Sequence, residues 1–399
     1  MIDRDLTQSI RKATAAYPVV TLTGPRQSGK TTLARHIFPD YQYASLEDTE
    51  LRTFAQEDPK GFLRRFNRFV VFDEVQRVPE LFSFIQIIVD EEDTPGRFIL
   101  TGSQNFLLID RINQSLAGRS AIFHLLPFSQ NELTRAEAFP LGRIGKGFPP
   151  ARSASDVELN TRLFTGFYPR IHDKKLEPQD WLKNYYKTYV ERDVRDILNI
   201  GDLEAFQRFV GLCAGRNGQL LNLSSLASDC GITHTTSRRW LSVLEASFLV
   251  ALLRPHYQNF RKRLVKAPKL YFLDTGLLCY LLRIKSADEL AFHASRGAVF
   301  ESFVVSELYK KALHRGIEPD CYFWRDSAGH EVDIIIDTPP RPVPLEVKSA
   351  MTVAADFFKG IEYWRKLSGA GEDSPAALIY GGDNSFIRNG VHLYPWWNF

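Results

Sequence analysis

The stretch Thr21–Phe38, TLTGPRQSGKTTLARHIF, decides how the first third of the chain is read. The apolar run YPVVTLTG leads into GPRQSGKT, and a helical pattern follows. A β-branched run without polar alternation predicts a parallel strand buried on both faces. GPRQSGKT fits G-x-x-x-x-G-K-[ST]. It gives Gly24, Pro25, Arg26, Gln27, Ser28, Gly29, Lys30, Thr31 and Thr32 as a nucleotide-binding set. The two glycines allow the backbone angles of a tight loop and let N–H groups close on phosphate oxygens. Lys30 supplies a point charge for the β- and γ-phosphates, and the Thr31 hydroxyl can ligate Mg2+. A helix over Lys30–Ile37 aims its positive end at the same anion. ATP with Mg2+ is therefore the expected ligand.

Further along, RFVVFDEVQRVPEL predicts a central strand ending in two adjacent acids. Asp73 can hold Mg2+, and Glu74 can polarise an attacking water as general base. GRFILTGSQN predicts the next strand, ending in Thr101, Ser103 and Gln104. Strand C-termini surround the ligand in a doubly wound sheet, so Ser103 reads either as a sensor of the γ-phosphate or as a helix N-cap. Arg119 precedes a strand over Ala121–Leu125. It reads as an arginine finger, in cis or toward a neighbouring subunit, or as half of a surface ion pair. Catalysis would then rest on Glu74, Lys30, Ser103 and Arg119.

GPRQSGKTTL, VVFDEVQRVPEL, ILTGSQN, LAGR and LLPFSQNEL, with KLYFLDTGLLCYL and GAVFESFVVSEL downstream, resemble the prokaryotic AAA-type ATPases that carry a C-terminal domain of unknown function. The resemblance covers nearly the whole chain. It implies an AAA+ or STAND-like P-loop core, a winged-helix segment and a restriction-endonuclease-like tail. The expected fold is α/β, with a parallel-sheet P-loop NTPase domain over 1–140, a linker and helical lid over 141–204, a winged helix-turn-helix over 205–270 and a PD-(D/E)XK nuclease-like domain over 271–399.

Composition agrees with a multidomain globular chain. The 399 residues exceed one compact core. The 50 Lys and Arg against 47 Asp and Glu exclude a wholly basic coat protein and leave room only for local patches. Cys213, Cys230, Cys279 and Cys321 are too scattered for a redox or metal motif and read as free thiols. The charged N-terminus MIDRDLTQSIRKA lacks an apolar signal core, and no apolar run nears the roughly 20 residues that span a bilayer. A cytoplasmic protein without a membrane partner is expected.

In the middle, WLKNYYKTYVERDVRDIL places Trp181, Tyr185 and Tyr189 on one helical face. The helix reads as plain packing or as a lever, with Arg192 and Arg195 as phosphate sensors. LNLSSLASDCGITHTTSRRWLSVLEASFLVALLRPHY then reads as helix, Gly231 turn, helix and wing strand. Between Gly231 and Leu270 stand Arg238, Arg239, Arg254, Arg261, Lys262, Arg263, Lys266 and Lys269 against the single acid Glu245. This is the electrostatic footprint of DNA binding, with His234, Thr235, Arg238, Arg239, Arg261, Lys262 and Arg263 as contacts. A solvated structural lid is the competing reading, and Ser237 stands where repressors carry an apolar residue.

In the C-terminal part, Asp333 lies in EVDIII, while Glu346 and Lys348 lie in PLEVKS. Residues i and i+2 of a strand share a face, so Glu346 and Lys348 point the same way and a hairpin pairing brings Asp333 to them. With Glu301 on the preceding amphipathic helix, they resemble the PD-(D/E)XK constellation. Glu301, Asp333 and Glu346 would hold a second divalent ion, and Lys348 would position water or neutralise charge. Glu331 reads as a further ligand or an edge acid. The combined expectation is an ATP-hydrolysing protein whose nucleotide state controls a DNA-binding, nuclease-like half, with double-stranded DNA as partner. The alternative is a nucleotide switch whose tail is a catalytically silent protein-interaction module. A DNA-translocating motor ranks behind both, since no helicase motif accompanies the loop.

Overall fold

A computed structural model describes residues 2–103, 115–151, 157–188, 202–256 and 265–399. Its contacts divide the chain into two units. The first is Met1–Phe128 with the short segments Ala246–Phe248 and Ala312–Ile317, and the remainder forms the second.

The first unit is built on Val19–Thr23 (β1), Gln42–Ser45 (β2), Val70–Asp73 (β3), Phe98–Gly102 (β4) and Ser120–His124 (β5). They form one sheet in the order β2-β3-β4-β1-β5, every pairing parallel. Alternate residues face opposite ways, and both faces are covered. Val19, Val70, Phe72, Phe98 and Leu100 join one apolar cluster, while Val20, Leu22, Val71 and Ile99 join another. That is why these strands read as unbroken apolar runs. The helix Thr7–Thr14 (α1) puts Ile10 and Ala13 into the second cluster, beside Leu33, Ala34 and Ile37 of the helix Lys30–Ile37 (α2). The sheet order places β4 between β1 and β3. The phosphate loop, the paired acids and Thr101–Ser103 therefore emerge side by side at the strands' C-terminal edge.

In the second unit, Cys321–Arg325 (β8), Glu331–Ile336 (β9), Val343–Lys348 (β10), Ala377–Tyr380 (β11), Phe386–Arg388 (β12) and Val391–Pro395 (β13) form a mixed sheet. Its order is β12-β13-β11-β10-β9-β8. The antiparallel β9–β10 pairing sets Leu345 opposite Ile334, and β10 runs parallel to β11. The long helix Arg296–Leu313 buries Phe300, Val304 and Leu308 as its apolar stripe predicts. Upstream, the helices Leu223–Cys230 and His234–Ala246 flank the Gly231 turn, where φ is 70°. Val250–Leu253 (β6) and Lys269–Phe272 (β7) pair antiparallel.

The four cysteines are buried free thiols. Among the described residues no helix is long and apolar enough to cross a membrane. Gln104, Tyr189, Arg192, Arg195, Arg261, Lys262 and Arg263 lie outside the described residues.

Candidate functional site

The loop from Gly24 to Gly29 joins β1 to α2. Gly24 has φ 146°, and a Cβ there would lie 2.2 Å from the Leu125 carbonyl oxygen, so only glycine lets the two backbones meet. Gly29, at φ 98°, begins α2. Lys30 is buried, and its Nζ donates to the carbonyls of Gly24 at 3.0 Å and Pro25 at 2.8 Å. Burial pushes this ammonium down to about 8, although Glu74 and Asp73 pull it upward. Ser28 Oγ is buried within the loop with no hydrogen-bond partner among the described residues. A cradle with an unsatisfied hydroxyl and a desolvated cation suits a polyphosphate, which would satisfy both.

Asp73 gathers three hydroxyls. Thr31 Oγ1 donates to its two carboxylate oxygens at 3.0 and 3.1 Å, Tyr43 donates at 2.9 Å, and Thr101 donates as well. The Thr31–Asp73 pair offers the hard oxygens that Mg2+ prefers beside a bound nucleotide. Asp73 also acts on Tyr43: burial first, and then this carboxylate, push the phenol up to about 12. Glu74 follows with φ 55°, a left-handed backbone uncommon for glutamate. Its Oε2 accepts from Ser103 Oγ at 2.9 Å and from Gln76 Nε2 at 2.6 Å. The structure thus brings Lys30, Thr31, Asp73, Glu74 and Ser103 together. Tyr43 and Gln76 are additions that no local pattern announces. Of the remaining loop residues, Arg26 pairs with Glu47 at 3.3 Å, Gln27 takes φ 63°, and Thr32 is exposed.

Arg119 is not brought to this site. It lies just before β5, whose Ser120 is level with Val19 of β1. A whole strand, ~17 Å of rise, therefore separates it from the loop after Thr23. Its guanidinium forms a two-point pair with Asp90, Nη2 donating to Oδ2 at 3.0 Å. A finger acting in cis is excluded by that placement. Any finger role would have to be played toward a second copy.

The C-terminal residues also assemble, in two groups. Lys348 Nζ donates to Asp333 at 2.9 Å and to Glu346 at 2.7 Å, and Asp333 also accepts from the Val347 N–H at 2.9 Å. Burial and the Asp333 charge push Glu346 well above the usual carboxylate range. Lys348, drawn by both carboxylates, keeps its proton more tightly than an ordinary lysine. Glu301 is paired with Lys269 at 3.4 Å and accepts from the Tyr271 hydroxyl, and it feels the Asp333 charge as well. Lys269 also pairs with Glu331, which receives Arg325 at 3.1 Å.

One correction follows. Lys269 is not part of an exposed basic patch; it is 4% exposed and neutralises Glu301 and Glu331. The expected second divalent ion finds no support: among the described residues no group of three or more His, Cys, Asp or Glu is gathered as a metal site. On the helix His234–Ala246, by contrast, His234, Thr235, Arg238 and Arg239 are exposed, while Ser237, Trp240, Leu241 and Leu244 are buried. Ser237 is thus a core position filled by a small polar residue.

A family model for an AAA domain matches residues 16–134, and two models for domains of unknown function match residues 156–288 and 296–399. An uncharacterized protein of Mycobacterium tuberculosis is 30% identical over 352 residues, 88% of this chain and 74% of that protein, and one from Mycobacterium bovis matches equally. Among solved structures, a Walker-type ATPase of Pyrococcus abyssi is similar over 71% of this chain and 96% of its own, at 13% identity and a TM-score of 0.39. The Holliday-junction branch-migration motor of Thermotoga maritima is similar over 62% and 87%, at 20% identity and a TM-score of 0.30. With a parallel sheet and phosphate loop lying inside the AAA match, the chain belongs to the family of these uncharacterized mycobacterial proteins, one built on an AAA-type P-loop ATPase domain.

Proposed function

We propose that the chain is an ATP-hydrolysing switch that binds double-stranded DNA without cutting it. The observation that carries the hydrolytic part is the convergence on the end of β3. Thr31 meets Asp73 at 3.0 Å, and Ser103 meets Glu74 at 2.9 Å. Asp73 and Thr31 would hold Mg2+, which supplies charge neutralisation when bound. Lys30 would hold the phosphates, and Glu74, aimed by Ser103 and Gln76, would accept a proton from water. DNA contact is supported by the exposed His234, Thr235, Arg238 and Arg239, which occupy the outward face of a helix-turn-helix. The silence of the nuclease-like part is supported by Lys269, which neutralises Glu301 and Glu331, two of the acids a metal site there would draw on.

One observation favours a second reading, in which the C-terminal part cleaves: Asp333, Glu346 and Lys348 meet within 2.9 Å, the contact pattern of a PD-(D/E)XK site. A paired assay separates the two. ATP turnover is measured with and without duplex DNA, and supercoiled plasmid is incubated with Mg2+ or Mn2+. The switch reading expects ATP turnover that Glu74→Gln stops while ATP still binds. It also expects salt-sensitive DNA retardation lost in an Arg238→Glu, Arg239→Glu double variant, and intact plasmid. Nicking that disappears in both Asp333→Ala and Glu346→Ala would establish cleavage instead.

A further inference from the structure

We infer that Arg4 is a positioning residue of the nucleotide site, one that fixes the direction of a peptide group in the phosphate loop. Arg4 lies twelve residues before the start of the matched AAA domain at residue 16, outside any recognised motif. It is nonetheless 5% exposed. Its Nη1 donates to the Ser28 carbonyl at 2.8 Å, and its Nη2 donates to the Leu126 carbonyl at 2.6 Å and the Pro127 carbonyl at 3.5 Å. The guanidinium lies 4.9 Å from the centroid of the Phe128 ring. Its own backbone is tied down as well, because the Arg4 carbonyl accepts from Thr7 Oγ1 at 2.7 Å at the start of α1. One buried side chain thus joins the phosphate loop to the segment that follows β5.

The consequence lies in the geometry of one peptide. A trans peptide is planar, with its C=O and N–H pointing in opposite directions. Holding the Ser28 carbonyl toward Arg4 therefore turns the Gly29 N–H to the opposite side, where an anion approaches the N-terminus of α2. Glycine at 29, with φ 98°, offers little steric resistance to a flip of that peptide. An external clamp is needed to keep it set. The planar fork of arginine can serve several carbonyls at once, and a lysine ammonium lacks that fixed geometry. The Leu126 backbone is braced in turn: its N–H donates to His314 Nε2 at 3.2 Å.

The test uses the full chain with Arg4→Ala and Arg4→Lys. ATP affinity, kcat and KM are measured beside the thermal melt. For a folded Arg4→Ala chain, kcat/KM falls about tenfold or more, and millimolar guanidinium added to the solution restores part of the loss. Arg4→Lys stays impaired, since one ammonium cannot reproduce the fork. A merely structural role would lower the melting temperature and leave kcat/KM and ATP affinity of the folded chain unchanged, and that result overturns the assignment. If Arg4→Ala does not fold, Arg4→Lys decides alone: impaired ATP binding and turnover in a folded chain support the clamp, and unaltered values refute it.

Discussion

Lys30 carries a charge at odds with its surroundings. Burial takes its ammonium from 10.5 down to about 8, while the loop carbonyls of Gly24 and Pro25 hold it in place. The folded chain therefore binds this proton less tightly than the unfolded chain. Between about pH 8 and 10.5 the unfolded state carries more of it, so this residue makes the nucleotide-free protein more stable as pH rises through that window. ATP reverses the preference, because phosphate oxygens favour the charged form. Calorimetry in buffers of different ionisation enthalpy should show proton uptake on ATP binding above pH 8, with affinity declining as pH climbs. Lys30→Ala should lose both the uptake and the binding. An affinity independent of pH, without uptake, would contradict this account. Lys30, Thr31, Asp73 and Glu74 were all legible from sequence because each stands in a short contiguous motif. Arg4 was not, since its carbonyl partners are 24 and 122 residues away and nothing in MIDRDL marks them.

At the scale of elements, the strand–loop–helix unit from β1 to α2 was readable almost to its ends, because apolar runs and glycines act locally. The same glycine type has different work at different turns, and sequence cannot show which. Gly24 must let the loop pass the Leu125 carbonyl. Gly231 only ends a helix at φ 70°, with open space where a Cβ would sit. Gly231→Ala should therefore cost only the left-handed strain, about 1–2 kcal/mol. Gly24→Ala adds a collision with backbone that cannot step aside, so its cost should be larger and ATP binding should vanish. Urea midpoints and ATP titrations of the two variants give the comparison. Equal losses of stability, with ATP binding kept in both, would show that the Leu125 approach imposes nothing. For Arg119 the sequence left a finger and a surface ion pair both open, for a related reason. An arginine before a strand is the same string at either edge of a sheet, and only the register of β1 with β5 shows which edge it occupies.

At the scale of the whole chain, the C-terminal cluster contains one residue that sequence had assigned to a different task. Lys269 comes from β7, Glu301 from the helix Arg296–Leu313 and Glu331 from β9. The two glutamates were read as candidate ligands of one site, but nothing in the chain order joined Lys269 to them, and it sat in a run of cations whose charge alone suggested DNA. Asp333, Glu346 and Lys348 were foreseeable because strand periodicity and one antiparallel pairing suffice to join them. The lysine between Glu301 and Glu331 has a measurable consequence. Both glutamates draw on Lys269, and Asp333 adds its negative charge to the same surroundings. Removing one partner of a buried pair leaves the rest uncompensated. Lys269→Met should therefore destabilise the chain by about 3 kcal/mol at neutral pH. The loss should shrink as pH falls, because Glu301, already pushed upward by burial, takes up a proton and no longer needs a counter-ion. Chemical denaturation of the parent and variant chains at neutral and mildly acidic pH provides the measurement. A loss that stays constant with pH would mean that Lys269 contributes packing along its aliphatic stem, and that Glu301 and Glu331 answer to something other than its charge.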